Sequence, residues 1–211
     1  AHYNLGNAYY DLGQYQEAIA PYKEAIRIEP DYVSAHLNLG IAYFKLGQHQ
    51  KAIAPFKEAI RLNPDDTDTH YNLGNAYEES GQHQEAIAPF KEAIRIQPDF
   101  AEAHVALGNA YGKSGQYEEA IASFKEAIRI KPDYALPNLG LGNAYGKSGQ
   151  YQEAIASFKE ALRIKPDLTA VRNLLNKLEQ KLADERLARE QRLLKEERKK
   201  HQALQNIQEA D

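Results

Sequence analysis

Four of the seven histidines, His2, His36, His70 and His104, recur at intervals of 34 residues, which would suit a ladder of metal ligands. Such a period would put successive imidazoles on equivalent helices about 8–10 Å apart. A zinc–nitrogen bond is only about 2.0–2.1 Å long, so one ion cannot bridge two of these positions. The histidines are therefore expected to pack between layers, and no metal or other cofactor is expected. His49 and His83 share a repeat position with Tyr15, Tyr117 and Tyr151 and read as packing residues as well. Two carboxylate pairs, Glu78 with Glu79 and Glu118 with Glu119, are adjacent in sequence. Neighbours on a helix diverge around it, whereas a carboxylate pair for general acid–base catalysis must face one site. Gly142, Gly146 and Gly149 follow no strand and do not form a phosphate loop. With no cysteine there is no thiolate nucleophile or thiolate ligand. The chain is not expected to be an enzyme.

A second set of side chains offers recognition instead of catalysis. Asn7, Asn75, Asn109 and Asn143 fall on one position of the same period, broken by Ile41, and Asn4, Asn38 and Asn72 fall on another. A primary amide has two donor hydrogens and an acceptor oxygen. A row of them can pair with an extended peptide backbone whatever its sequence. The competing expectation is that they bond within their own helix layer.

The period that carries these residues is set by Pro30, Pro64, Pro98, Pro132 and Pro166. Equal spacing over five copies marks a repeat architecture, in which each unit buries its apolar face only against its neighbours. With the proline at position 32, position 7 is Leu5, Leu39, Leu73, Leu107 and Leu141, and position 8 is Gly6, Gly40, Gly74, Gly108 and Gly142. Position 11 is Tyr9, Tyr43, Tyr77, Tyr111 and Tyr145, and position 20 is Ala18, Ala52, Ala86, Ala120 and Ala154. Position 24 is Tyr22, Phe56, Phe90, Phe124 and Phe158. Positions 4, 7, 8 and 11 form one face of a first helix, and positions 20, 24 and 27 form one face of a second. Gly13, Gly47, Gly81, Gly115 and Gly149 would end the first helix with positive φ. Pro21, Pro55 and Pro89 lie inside the second helix of three repeats and predict a local kink there.

The pattern Leu-Gly-x-x-Tyr, then Ala, then Phe, then Pro at this period resembles the tetratricopeptide repeat family over residues 1–166. The resemblance implies an all-α fold, a right-handed superhelical solenoid of antiparallel helix pairs. It places the first helices along a concave groove and the second helices on the convex back. The repeats would span 1–30, 31–64, 65–98, 99–132 and 133–166. A long C-terminal capping helix (167–182), with Val171, Leu174, Leu175, Leu178 and Leu182 as its apolar stripe, would cover the last repeat, and a charged helical extension would occupy 183–211. Beyond Leu182 the apolar positions thin to Leu187, Leu193, Leu194, Leu204 and Ile207, with Glu185/Arg189 and Glu196/Lys200 available as i,i+4 pairs. Glu190, Glu197 and His201 break any heptad seam. The bulky aromatic usual at position 4 of the family is replaced by the four histidines and Asn138.

In this family positions 2, 5, 9, 12 and 13 face the groove, and here several differ from copy to copy. The groove then begins apolar and aromatic, with Tyr3, Asn7, Tyr10, Leu37, Asn38, Ile41, Phe44 and Tyr71. Its middle is acidic and amide-rich, with Asp68, Asn72, Asn75, Glu78, Glu79 and Glu102, and its end holds Asn109, Lys113, Asn143 and Lys147 beside Gly112 and Gly146. The expected partner is a protein or peptide segment with apolar anchors and some basic residues. The family's carboxylate clamp for chaperone C-termini needs lysines where this chain has Tyr3 and Asp68, so it is not expected. Homo-oligomerisation through the N-terminal face or the C-terminal helix is the alternative role.

Residues 1–166 carry 16 Lys and Arg against 21 Asp and Glu, and the whole chain has a net charge of −4. That balance disfavours a nucleic-acid partner. No apolar run reaches the roughly 20 residues of a membrane span, and no membrane partner is expected. The chain opens within a repeat and lacks methionine, cysteine and tryptophan. It reads as an excised or partly consensus-engineered segment, with a cytoplasmic location expected.

Overall fold

The structure is a computed structural model that describes residues 1–208, without the side chains of residues 203–205, 207 and 208. Leu204 and Ile207, named above in the apolar stripe, therefore lie outside the described side chains, as do residues 209–211 altogether. Among the described residues there are eleven α-helices and no strand. They are α1 (His2–Asp11), α2 (Tyr15–Ile28), α3 (Val33–Lys45), α4 (His49–Leu62), α5 (Thr67–Glu79) and α6 (His83–Ile96). The rest are α7 (Ala101–Lys113), α8 (Tyr117–Ile130), α9 (Ala135–Lys147), α10 (Tyr151–Ile164) and α11 (Thr169–Gln208). None of them is long and apolar enough to cross a membrane.

Each first helix ends as its glycine dictates. Gly13 has φ 73°, its amide donates to Tyr10 O at 2.9 Å, and the Gln14 amide donates to Tyr9 O at 2.9 Å. This pair of bonds closes the last carbonyls of α1 and turns the chain back within three residues. Gln14 then precedes α2 directly, so the two helices of a pair lie antiparallel and in close contact.

Between pairs, the prolines work with the histidines. Nε2 of His36, His70 and His104 bonds the carbonyl oxygens of Pro30, Pro64 and Pro98 at 2.8, 2.8 and 3.0 Å. The three histidines are packing residues, as expected, and each also ties a first helix to the linker before it. His2, at the same repeat position, is exposed and makes no such bond among the described residues. Asn138, the fifth residue at this position, is 4% exposed and leaves its amide nitrogen without a partner. An unsatisfied buried donor costs about 1–3 kcal/mol. Asn138→His should restore the bond to Pro132 and raise stability by about 1 kcal/mol in urea unfolding; an unchanged midpoint would contradict this.

The core runs the length of the stack, through Tyr22, Phe56, Phe90, Phe124 and Phe158 and the Leu and Ala positions of the period. Each ring lies under the glycine of its own first helix. A Cβ at Gly40 or Gly74 would stand 2.6 or 2.5 Å from the ring of Phe56 or Phe90. The glycines thus set how closely the paired helices approach. Lys23, Lys57, Lys91 and Lys125 extend over Tyr43, Tyr77, Tyr111 and Tyr145 of the next layer at 5.5–5.7 Å from the ring centres, a cation–π contact repeated at each junction.

Pro21, Pro55 and Pro89 shorten nothing: α2, α4 and α6 run 14 residues, as do α8 and α10, which carry serine there. Ser123 and Ser157 instead donate to the carbonyls of Glu119 and Glu153 one turn back, at 2.8 and 2.9 Å. In α11, Val171 and Leu175 are buried and Leu178 packs partly on the core, which closes the end of the fifth repeat. Leu174 departs from the expected stripe and is 42% exposed; it falls at the repeat position of Asn38, which faces the preceding first helix, and it borders the open space beside α9. Beyond Leu182 every described side chain of α11 is exposed, and Glu185 lies nearest Lys181, at 4.0 Å, instead of Arg189. At the other end Leu5 is 48% exposed where its four counterparts are buried.

Candidate functional site

First helices touch along the stack, α1 with α3, α3 with α5, α5 with α7 and α7 with α9. Layers meet in this way on the inner side of a curve, so these helices line the concave face. The candidate residues all sit on them, but they fall into three groups with different freedom.

The N-terminal group is largely committed to the fold. The Tyr3 ring lies 4.8 Å from Tyr32 and 6.0 Å from Tyr22, and the Tyr71 ring lies 4.9 Å from Phe100 and 5.8 Å from Phe90. Leu37 and Ile41 are half-buried against the core. Tyr10 and Phe44 fold across the helix turn onto Tyr15 and His49, at 5.1 and 4.8 Å. Asn7 accepts from the Tyr22 hydroxyl at 2.9 Å and from the Asn38 amide at 3.0 Å, and Asn38 also donates to Tyr3 at 3.1 Å. Burial pushes the Tyr22 hydroxyl up to about 12, so it stays protonated as a donor. For Asn7 and Asn38, bonding within the layer is what the structure shows.

The acidic middle is partly neutralised from within. The Glu78 side chain is 11% exposed, with His83 Nδ1 at 2.9 Å and Lys113 Nζ at 2.5 Å. Here His83 is a hydrogen-bond partner of Glu78 as well as a packing residue. Glu102 has Lys131 Nζ at 3.3 Å. Asp68 and Glu79 are exposed, without a charged partner among the described residues.

The open part of the face is its C-terminal half. Asn72, Asn75, Asn109 and Asn143 make no side-chain hydrogen bond among the described residues, and Asn109 and Asn143 are exposed. Two adjoining cavities lie beside the last two. One, of about 310 Å³, runs between α7 and α9 over Phe124 and Tyr117, and the other, of about 350 Å³, runs between α9 and α11 over Phe158, Leu174 and Leu178. Asn143 and Lys147 border both. The sequence placed the asparagines and lysines here but not the α11 wall, because the position-to-groove rule stops with the fifth repeat.

A family model described as "TPR repeat" matches residues 6–47, 41–81, 79–115 and 108–149, and one described as "Tetratricopeptide repeat" matches residues 139–168. No match was found among curated proteins. Among solved structures, the crystal structure of MamA is 29% identical, with a TM-score of 0.74 over 78% of this chain and 96% of that one. TTC0263, a thermophilic TPR protein of Thermus thermophilus, is 25% identical with a TM-score of 0.57, over 84% and 96%. YrrB, described as a TPR protein with an unusual peptide-binding site, shares the fold at 21% identity and a TM-score of 0.76, over 82% and 89%. The matched segments run without a break through the five helix pairs seen in the structure, and the chain belongs to the tetratricopeptide repeat family.

Proposed function

We propose that this chain is a protein-interaction module that holds a peptide or helical segment along its concave face. One observation carries the reading. On that face Asn75, Asn109 and Asn143 keep their amides free of internal bonds at the repeat spacing, while Asn7 and Asn38 are spent on the fold. Free amides beside concave apolar surface are what a site for main-chain recognition needs. Apolar anchors in the partner suit the cavities over Phe124 and Phe158. The basic stretch expected from the sequence would meet only Asp68 and Glu79 unpaired, since Glu78 and Glu102 already have cations.

Selection from a displayed random-peptide library tests this. Enriched peptides should lose at least about tenfold in affinity for the Asn75→Ala, Asn109→Ala, Asn143→Ala variant, since each amide lost leaves backbone groups of the peptide unpaired. Peptides that bind this variant as well as the parent chain would refute the concave-face reading.

A further inference from the structure

The repeats differ at position 12 in a way that packing does not explain. Tyr10, Phe44 and Glu78 each reach across the turn to the residue five places on, at 5.1, 4.8 and 2.9 Å. In the last two repeats that position is Gly112 and Gly146. Neither has positive φ, and neither glycine is forced by crowding. A Cβ at Gly112 would meet only the Ala120 methyl, at 3.9 Å, and one at Gly146 would meet nothing within 4 Å. Glycine inside a helix is unfavourable relative to alanine. Two such glycines, each with room for a side chain, open the two cavities beside Asn109 and Asn143.

Those cavities share one chemistry. Their floors are apolar, formed by Phe124, Ala144, Phe158 and Leu178, and their rims are Lys113, Lys147, Lys177 and Lys181. No acidic side chain lines either one. Lys113 is answered by Glu78, and Lys181 is held over the Tyr151 ring with its hydroxyl at 2.7 Å. Lys147 and Lys177 have no anionic partner among the described residues. The rim therefore has cationic charge to spare on a chain whose net charge is −4.

We infer that the α7–α9–α11 end of the concave face selects an extended, acidic peptide segment carrying two apolar side chains three residues apart. This rests on the concave-face reading above and names the partner's chemistry. Successive layers are about 8–10 Å apart. In an extended polyproline-II conformation residues i and i+3 point the same way and lie about 9.3 Å apart, so one side chain enters each cavity. The asparagines between them meet the peptide backbone, and intervening carboxylates face Lys147 and Lys177. The preference is opposite in sign to the basic partner that the acidic groove residues suggested.

The probe is a blocked peptide, acetyl-Asp-Glu-Phe-Asp-Glu-Leu-Asp-Gly-amide, with its Lys-for-acid counterpart and a version with Leu replaced by Ala, all read by fluorescence anisotropy on the full chain. The acidic peptide should bind at least about tenfold more tightly than the lysine peptide and lose affinity with salt. Replacing its Leu by Ala should cost about tenfold. Gly146→Phe, which installs the side chain of the second repeat, should abolish the gain, whereas Gly146→Ala should bind within about threefold of the parent. Lys147→Glu with Lys177→Glu changes only exposed groups and should invert the charge preference. Equal binding of both peptides, or undiminished binding to Gly146→Phe with a native circular-dichroism spectrum, overturns the inference. So does a site that takes a single-stranded oligonucleotide equally well and ignores the Leu replacement, which would be a general polyanion patch. If library peptides still depend on the asparagines while the acidic peptide fails, this inference falls and the concave-face reading stands.

Discussion

Phe90→Ala is expected to lower the unfolding free energy by about 3–5 kcal/mol, the range for emptying a large buried aromatic site. The ring is fully buried in the third repeat, beneath Gly74 and beside Tyr71 at 5.8 Å. In a stack, each unit is held only by its neighbours. A cavity in the middle layer therefore weakens both junctions, and neither half can compensate through a common core. Urea unfolding followed by circular dichroism reads the loss directly. Leu187→Ala, on a residue 54% exposed in α11, is the control and should stay within about 0.5 kcal/mol. Similar losses for the two variants would contradict a lengthwise core built on the position-24 rings.

The second large effect comes from adding a methyl group. Gly74→Ala should destabilise by about 1–3 kcal/mol, although alanine is the better helix former by about 1 kcal/mol. The new Cβ would stand 2.5 Å from Phe90 Cε1 and 2.6 Å from Cδ1, inside any tolerable contact, and the ring is held on all sides. Sterics therefore win over propensity. The two residues are coupled, so Gly74→Ala in the Phe90→Ala background should cost little or even stabilise. A double-mutant cycle with additive free energies would show that the glycine is kept for some reason other than the ring beneath it. The same crowding recurs at Gly6, Gly40, Gly108 and Gly142, so the result extends to every pair.

The fold was legible because the same few residues settle it five times. Proline marks the linkers, glycine at positive φ marks the turns, and the Gly and Phe positions mark where helices touch. The site was legible only in part. That Asn7 serves the fold owes much to a single hydroxyl: position 24 is Tyr22 in the first repeat and phenylalanine in the others, and that hydroxyl donates to Asn7, while Asn38 donates to Asn7 and Tyr3. The sequence carried this signal, but its consequence needs the distance between two helices. The pairing of Glu78 with Lys113 joins residues 35 apart across a layer, which no local periodicity reveals. Leu174 followed the apolar stripe but is 42% exposed, because its repeat position is that of Asn38, which faces the preceding first helix, and there it borders the cavity beside α9. The cavities come from what Gly112 and Gly146 leave out, and an absent side chain gains meaning only against Tyr10 and Phe44 at the same position.

Hydrogen exchange of the chain with and without a library-selected peptide shows which face of the stack holds the partner. Backbone amides exchange more slowly where bound ligand suppresses local opening. Slowed exchange is expected in α5, α7 and α9, around Asn75, Asn109 and Asn143, with α4, α6 and α8 unchanged on their outer faces. Protection confined to the second helices, or to residues 183–208 of α11, would contradict it, because the partner would then lie on the convex back or the exposed C-terminal helix.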